Sequence, residues 1–212
     1  MRIFSYDGIL AQVIRYIWDL FVLNLCFVIC CLPIVTVGAA ITALYSVYLN
    51  ESLESGKILR FFRAFRDNFR QATLIWLVFM ALAVVLGIDA YLLLTFKLSG
   101  SSVLKVLTLI VTVVVLSVES FIFPLVAHYE NTTKQTWRNA LVLGVTLMIY
   151  GIIMSMISLL PLILFFIDLD LMVRVLAVWL PFGCSLSAQI NSWILKHVFT
   201  KLQPKDSDAN AS

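Results

Sequence analysis

Charge is what this chain has least of. Asp, Glu, Lys and Arg make up 13% of its 212 residues, about half of the roughly 25% usual in soluble domains. Hydrophobic residues are 62% of the chain and the mean hydropathy is +1.01, which excludes an ordinary soluble core. Histidine occurs twice. The four cysteines, Cys26, Cys30, Cys31 and Cys184, all lie within apolar runs, with no CxxC pair and no neighbouring histidines. They read as small buried hydrophobes, not as a redox or metal framework. The net charge of +3 is too small to suggest nucleic acid as a partner. No GxSxG, HExxH, P-loop or dinucleotide fingerprint occurs, and no cluster of acids, histidines and a nucleophile assembles at one interface. The expectation is a protein that is not an enzyme and carries no cofactor.

What fills the chain is continuous apolar sequence. A bilayer span needs about 20 apolar residues, and the runs do not alternate as the strands of a membrane barrel would. The fold class is therefore all-α, a polytopic helical membrane protein. Residues 16–49 are uncharged apart from Asp19 and are interrupted by Pro33 and Gly38. Because Pro33 disfavours helix before it and Gly38 permits a turn, this stretch reads as a helical hairpin over 11–54, with a re-entrant or tilted second arm as the alternative. Gly38-Ala39-Ala40 resembles a signal-peptide cleavage site, but the apolar run before it is too long for one and continues beyond it. Four further spans are predicted at 72–96, 103–127, 139–167 and 172–196, about six membrane helices in one domain over 1–202, with 203–212 a disordered tail. Short turns join the spans at 97–102 and 168–170.

Between the hairpin and the next span lies the one strongly basic stretch, KILRFFRAFRDNFRQ at 57–71. At 100° per residue Ile58, Phe61, Phe62, Phe65 and Phe69 share one face, and Arg60, Arg63, Arg66 and Arg70 take the other. The pattern predicts a helix in the headgroup plane, with phenylalanines in the acyl boundary and arginines meeting anionic lipid or a partner; packing of the same stripe inside the protein is the alternative. With six helices, 12 of the 15 Lys and Arg residues fall on one side, which the positive-inside rule makes cytoplasmic, together with both termini.

Two acids fall inside spans, Asp89 and Glu119, and intramembrane acids are functional suspects. Asp89 lies toward the outer end of its helix and Glu119 toward the inner end of the next, so they cannot form one carboxylate pair. Arg174 is placed to neutralise Asp89. Asn24 and Asn191 are expected to bond between helices, and His128 and His197 to sit at the cytoplasmic interface. Small residues at close spacing, Gly151 with Ser155, Gly183 with Ser187 and Cys184 with Ala188, predict close helix packing. Pro161 and Pro181 predict kinks.

Three stretches resemble a known family: Leu32-Pro33-Ile34-Val35-Thr36-Val37-Gly38-Ala39-Ala40 leading to Ala43-Leu44-Tyr45; Phe62-Arg63-Ala64-Phe65-Arg66-Asp67-Asn68-Phe69-Arg70-Gln71-Ala72; and Phe123-Pro124-Leu125-Val126-Ala127-His128-Tyr129, followed by Asn139-Ala140. The chain resembles the YesL-like proteins, domain-of-unknown-function family 624. The resemblance implies a bacterial plasma-membrane protein, of a family often encoded beside carbohydrate ABC transporters, with no agreed activity and no catalytic residues to carry over. The expected function is an accessory or regulatory partner of a carbohydrate ABC importer. The alternative is a small secondary transporter or channel using Asp89 and Glu119.

Overall fold

The computed structural model describes residues 9–50, 56–95, 101–129 and 131–202. The tail at 203–212 and most of the turn at 97–102 lie outside the described residues. Among those described there is helix and no strand. The first helix, α1 (Ile9–Cys31), leads through a short 3-10 turn at Ile34–Thr36 into α2 (Val37–Leu49). Pro33 is extended (φ −79°, ψ 113°) at the head of that turn. The Thr36 hydroxyl donates to the carbonyls of Cys30 at 2.5 Å and Pro33 at 2.7 Å, closing the hairpin.

Helix α2 is the inner element. Its 13 residues include nine that are buried, among them Gly38, Ala39, Ala40, Ala43 and Leu44. At 1.5 Å per residue it is roughly 20 Å long, short of the roughly 30 Å hydrocarbon core. Gly38 lies inside α2, not in the turn. A Cβ there would fall 2.5 Å from Trp76 Cβ and 2.6 Å from the Ala72 carbonyl oxygen, so its bare backbone sets how closely the two helices approach.

The partner in that contact is α3 (Lys57–Thr95), one helix of 39 residues. The basic stretch and the following span were expected as two elements; they form a single rod roughly 58 Å long. Besides Leu93 near its end, its buried positions are Phe61, Ala64, Ala72, Ile75 and Phe79, a helical stripe that runs through the junction at 71–72 and packs on α2 and α4. That shared stripe is why the chain does not turn there.

Helix α4 (Ser101–His128) contains Pro124 and continues one turn past it. Next come α5 (Thr133–Thr146) and α6 (Met148–Ser158), which meet at a 99° bend, where one span over 139–167 was expected. Leu147, at the corner, has φ −114° and ψ 33°. Two glycines on either side of the corner rest on α4. A Cβ on Gly144 would sit 2.7 Å from Val118 Cγ2, and one on Gly151 2.1 Å from Ser117 Oγ. The Ser117 hydroxyl donates to the Gly144 carbonyl at 2.8 Å. The bend wraps the chain around α4 at these close approaches.

The expected span over 139–167 is broken a second time before α7 (Leu160–Ile167), which carries Pro161 in its first turn. A one-residue break at Asp168, whose carboxylate accepts from the Asp170 and Leu171 amides at 2.9 and 3.2 Å, starts α8 (Leu169–Val178). A π-helical segment, Trp179–Gly183, then carries Pro181 into α9 (Cys184–Leu202). Pro161 thus follows a break where only a kink was expected, and Pro181 lies in a π-helical turn inside an otherwise continuous helical stretch. Four helical stretches among the described residues are long and apolar enough to cross a membrane: Leu10–Cys31, Lys57–Thr95, Ser102–His128 and Leu169–Thr200. The bent pair α5–α6 makes a fifth if it is one span. The six spans expected from the sequence are not reached, because α2 is short.

Candidate functional site

The α2 C-terminus, the first half of α3 and the α4 C-terminus enclose a polar pocket of about 580 Å³. Helix α2 contributes Ser46 and, just past its end, Asn50. Arg60, Arg63, Asp67, Asn68 and Gln71 come from one flank of α3. Beyond Pro124, His128, Tyr129 and Asn131 close it. Asn50 organises the floor. Its carboxamide oxygen meets His128 Nδ1 at 2.7 Å, its Nδ2 donates to the Ala127 carbonyl at 3.0 Å, and its backbone carbonyl accepts from Arg60 Nη1 at 2.6 Å. Arg60 Nε is buried with no protein partner. At the far wall Gln71 Nε2 donates to the Asn131 carbonyl at 3.4 Å and to Thr136 Oγ1 at 3.3 Å. Phe199 of α9 stacks on the His128 ring at a centroid distance of 5.9 Å.

The eight residues expected to bind lipid or a partner divide into three groups. Arg60 and Arg63 line the pocket. Phe61 is fully buried and Phe65 packs against the core. Phe62 and Phe69 remain exposed at 47% and 37%; Phe69 shares a shallow recess with Phe65, Arg66, Asp67 and Arg70. One half of the stripe is therefore packed inside, as the second alternative had it, and the other half is exposed on the helix that runs on to Thr95.

The intramembrane polar residues do not converge. Asp89 accepts a hydrogen bond from Thr108 Oγ1 at 2.5 Å, and Arg174 pairs with Asp170 one turn away on α8 instead of with Asp89. Glu119 lies eleven residues beyond Thr108, roughly 16 Å along α4, and lines a separate cavity. Asn24 and Asn191 bond between helices as expected. Asn24 Nδ2 donates to the Leu180 carbonyl at 2.5 Å while its Oδ1 accepts from the Ser185 amide at 2.9 Å. Asn191 Nδ2 donates to Tyr45 and Ser158 hydroxyls at 3.2 and 3.0 Å. Asp19, the one charge of the first run, pairs with Lys57 at 2.7 Å. Among the described residues no three His, Cys, Asp or Glu side chains are grouped to hold a metal ion.

Sequence reasoning missed Asn50, Asn68, Gln71, His128, Tyr129 and Asn131 as one site. The available signal was that two of the stretches carrying the family resemblance each contain polar residues next to an apolar run; the structure brings both into one wall. A family model described as "Protein of unknown function, DUF624" matches residues 20–90. The match covers the first two resembling stretches and is consistent with a place among the YesL-like proteins, as the sequence led us to expect. Together with the long apolar helices, it points to a multi-pass helical membrane protein. No curated protein and no solved structure matches the chain.

Proposed function

We propose that the protein is a non-catalytic accessory or regulatory component of a carbohydrate-import system in the plasma membrane, and that the pocket between α2, α3 and α4 is where it engages that partner. The observation that carries the binding half of this reading is the pocket itself: about 580 Å³, lined by two arginines and several carboxamides, at the end of the bundle that the charge asymmetry assigns to the cytoplasm. Such a recess suits a polar segment of a permease or ATPase subunit, since guanidinium groups match carboxylates in a planar fork. The class of partner rests on the family resemblance alone.

The test is crosslinking in native membranes followed by mild-detergent purification, comparing wild type with Arg60→Gln/Arg63→Gln and with Arg66→Gln/Arg70→Gln. Importer subunits are expected to co-purify with wild type and to be lost with the first pair, with sugar uptake falling in parallel. Equal recovery with both pairs and unchanged uptake would sink the proposal. The transporter alternative requires a polar path joining Asp89 to Glu119, and Asp89 is engaged by Thr108 on a different part of α4.

A further inference from the structure

Glu119 projects from the middle of the bundle into a cavity of about 80 Å³, together with Tyr45 from α2, Ser120 from α4, and Ser155 and Ser158 from α6. That volume admits an ion with a water or two, a bulk water occupying about 30 Å³. Among the described residues Glu119 has neither an ion pair nor a hydrogen bond, whereas Asp19, Asp67 and Asp170 are all paired. A lone carboxylate in an apolar interior is costly until something neutralises it.

The surrounding groups indicate what that something is. Ser120 and Ser155 direct their hydroxyl protons toward the Leu116 and Gly151 carbonyls and each other, at 2.7–3.1 Å, which leaves oxygen lone pairs toward the cavity. The adjoining Asn191, 1% exposed, spends its Nδ2 on Tyr45, Ser158 and the Met154 carbonyl, and its Oδ1 has no partner. Tyr45 and Ser158 accept from Asn191 and each keeps one proton to turn, so the cavity is lined by one carboxylate and four hydroxyl oxygens, a hard-oxygen set with a single negative charge that suits a small cation over an anion. One carboxylate matches a single positive charge, where calcium sites commonly gather several carboxylates. Among the described residues Tyr45 is the only other titratable side chain lining the cavity. The nearest bases along α4, His128 and Lys105, are roughly 14 and 21 Å away by helical rise.

We propose that Glu119, with the hydroxyls of Tyr45, Ser120, Ser155 and Ser158, forms an intramembrane site for a monovalent cation of sodium size. The site shares no lining residue with the arginine-lined pocket, so either proposal can fail while the other stands.

The experiment is thermal unfolding of the whole purified protein in detergent, at one alkaline pH and equal ionic strength, in sodium, potassium or choline chloride. Wild type is expected to melt about 5 °C higher in sodium than in choline, with potassium between them. Glu119→Gln should melt cooperatively and at the same temperature in all three salts. Should that variant fail to fold, Glu119→Asp and Ser155→Ala, which keep the charge or only remove one hydroxyl, should each shrink the sodium response. Isothermal titration with sodium chloride should show the same order. A wild-type melt indifferent to the cation, or a sodium response that survives in every variant, would overturn the assignment.

Discussion

His128 Nδ1 and Asn50 Oδ1 lie 2.7 Å apart and tie the end of α4 to the end of α2. Since Asn50 also donates to the Ala127 carbonyl, this one carboxamide holds together the two chain ends that floor the pocket. Asn50→Ala removes both bonds while leaving the backbone carbonyl that Arg60 reaches. The expected cost is about 1–2 kcal/mol, read as a melting temperature lower by about 2–8 °C in detergent. An unchanged melt would mean that helix packing alone holds the floor.

The glycines separate into those that touch a neighbour and those that do not. Gly151→Ala would press a methyl against Ser117, whose Cα also lies within 2.9 Å of the new atom, so a rotamer change cannot relieve it. Destabilisation of about 1–3 kcal/mol is expected, and adding Ser117→Ala should recover only part of it. Gly87 has nothing within 4 Å and lies within α3. There Gly87→Ala should raise stability by about 0.5–1 kcal/mol through helix propensity. Paired melting curves that showed the two substitutions alike would contradict the close approach of α6 to α4.

Asn24 substitutes for a peptide unit. Leu180 and Ser185 are five residues apart, the spacing a π-helical turn would pair, yet the Asn24 amide stands between them, donating to one and accepting from the other. Asn24→Leu orphans a carbonyl and an amide beside Pro181, and each buried unpaired group costs about 1–3 kcal/mol. Asn24→Asp, when neutral, keeps the acceptor for Ser185 and replaces the two-proton amide donor by a single carboxyl O–H. The expected order of stability is wild type, Asn24→Asp, Asn24→Leu, measured by denaturation at a pH where the aspartate is neutral. If Asn24→Leu were as stable as wild type, the π segment would be self-sufficient.

How much of this was legible depended on whether the cause was local. Pro33, Pro161 and Pro181 act on their own backbone, so the hairpin and a disturbance of the helix at each later proline could be read directly, though the full break before Pro161 was expected only as a kink. The amphipathic pattern of 57–71 was equally plain, yet its continuation to Thr95 was not, because the stripe of Phe61, Ala64, Ala72, Ile75 and Phe79 is defined by what α2 and α4 present to it. No residue type announces the corner at Leu147. It arises from Gly144 and Gly151 meeting Ser117 and Val118, a contact across some 30 positions. The pocket was hidden for a related reason, being assembled from Asn50, a flank of α3 and the residues after Pro124. Asp89 and Arg174 looked like partners by depth, but each had a nearer one in Thr108 and Asp170.

The hairpin turn makes the sharpest claim about topology. Trp76 Nε1 donates to the Ile34 carbonyl at 2.8 Å, so the Pro33 turn sits beside the middle of α3. From Trp76 to Thr95 the helix continues for another 19 residues, roughly 28 Å, close to the thickness of a hydrocarbon core. If the Thr95 end reaches the outer surface, the turn lies near the inner boundary of the hydrocarbon core, far from the outer surface, and α2 returns to the side from which α1 entered. In a variant with Cys26, Cys30, Cys31 and Cys184 replaced, a single cysteine at Ser102 should therefore react with an impermeant maleimide from outside, and one at Val35 should not. Labelling of Val35→Cys as fast as Ser102→Cys would bring the turn to the surface and force α3 beyond Trp76 to run nearly in the membrane plane, against the apolar composition of its final turns.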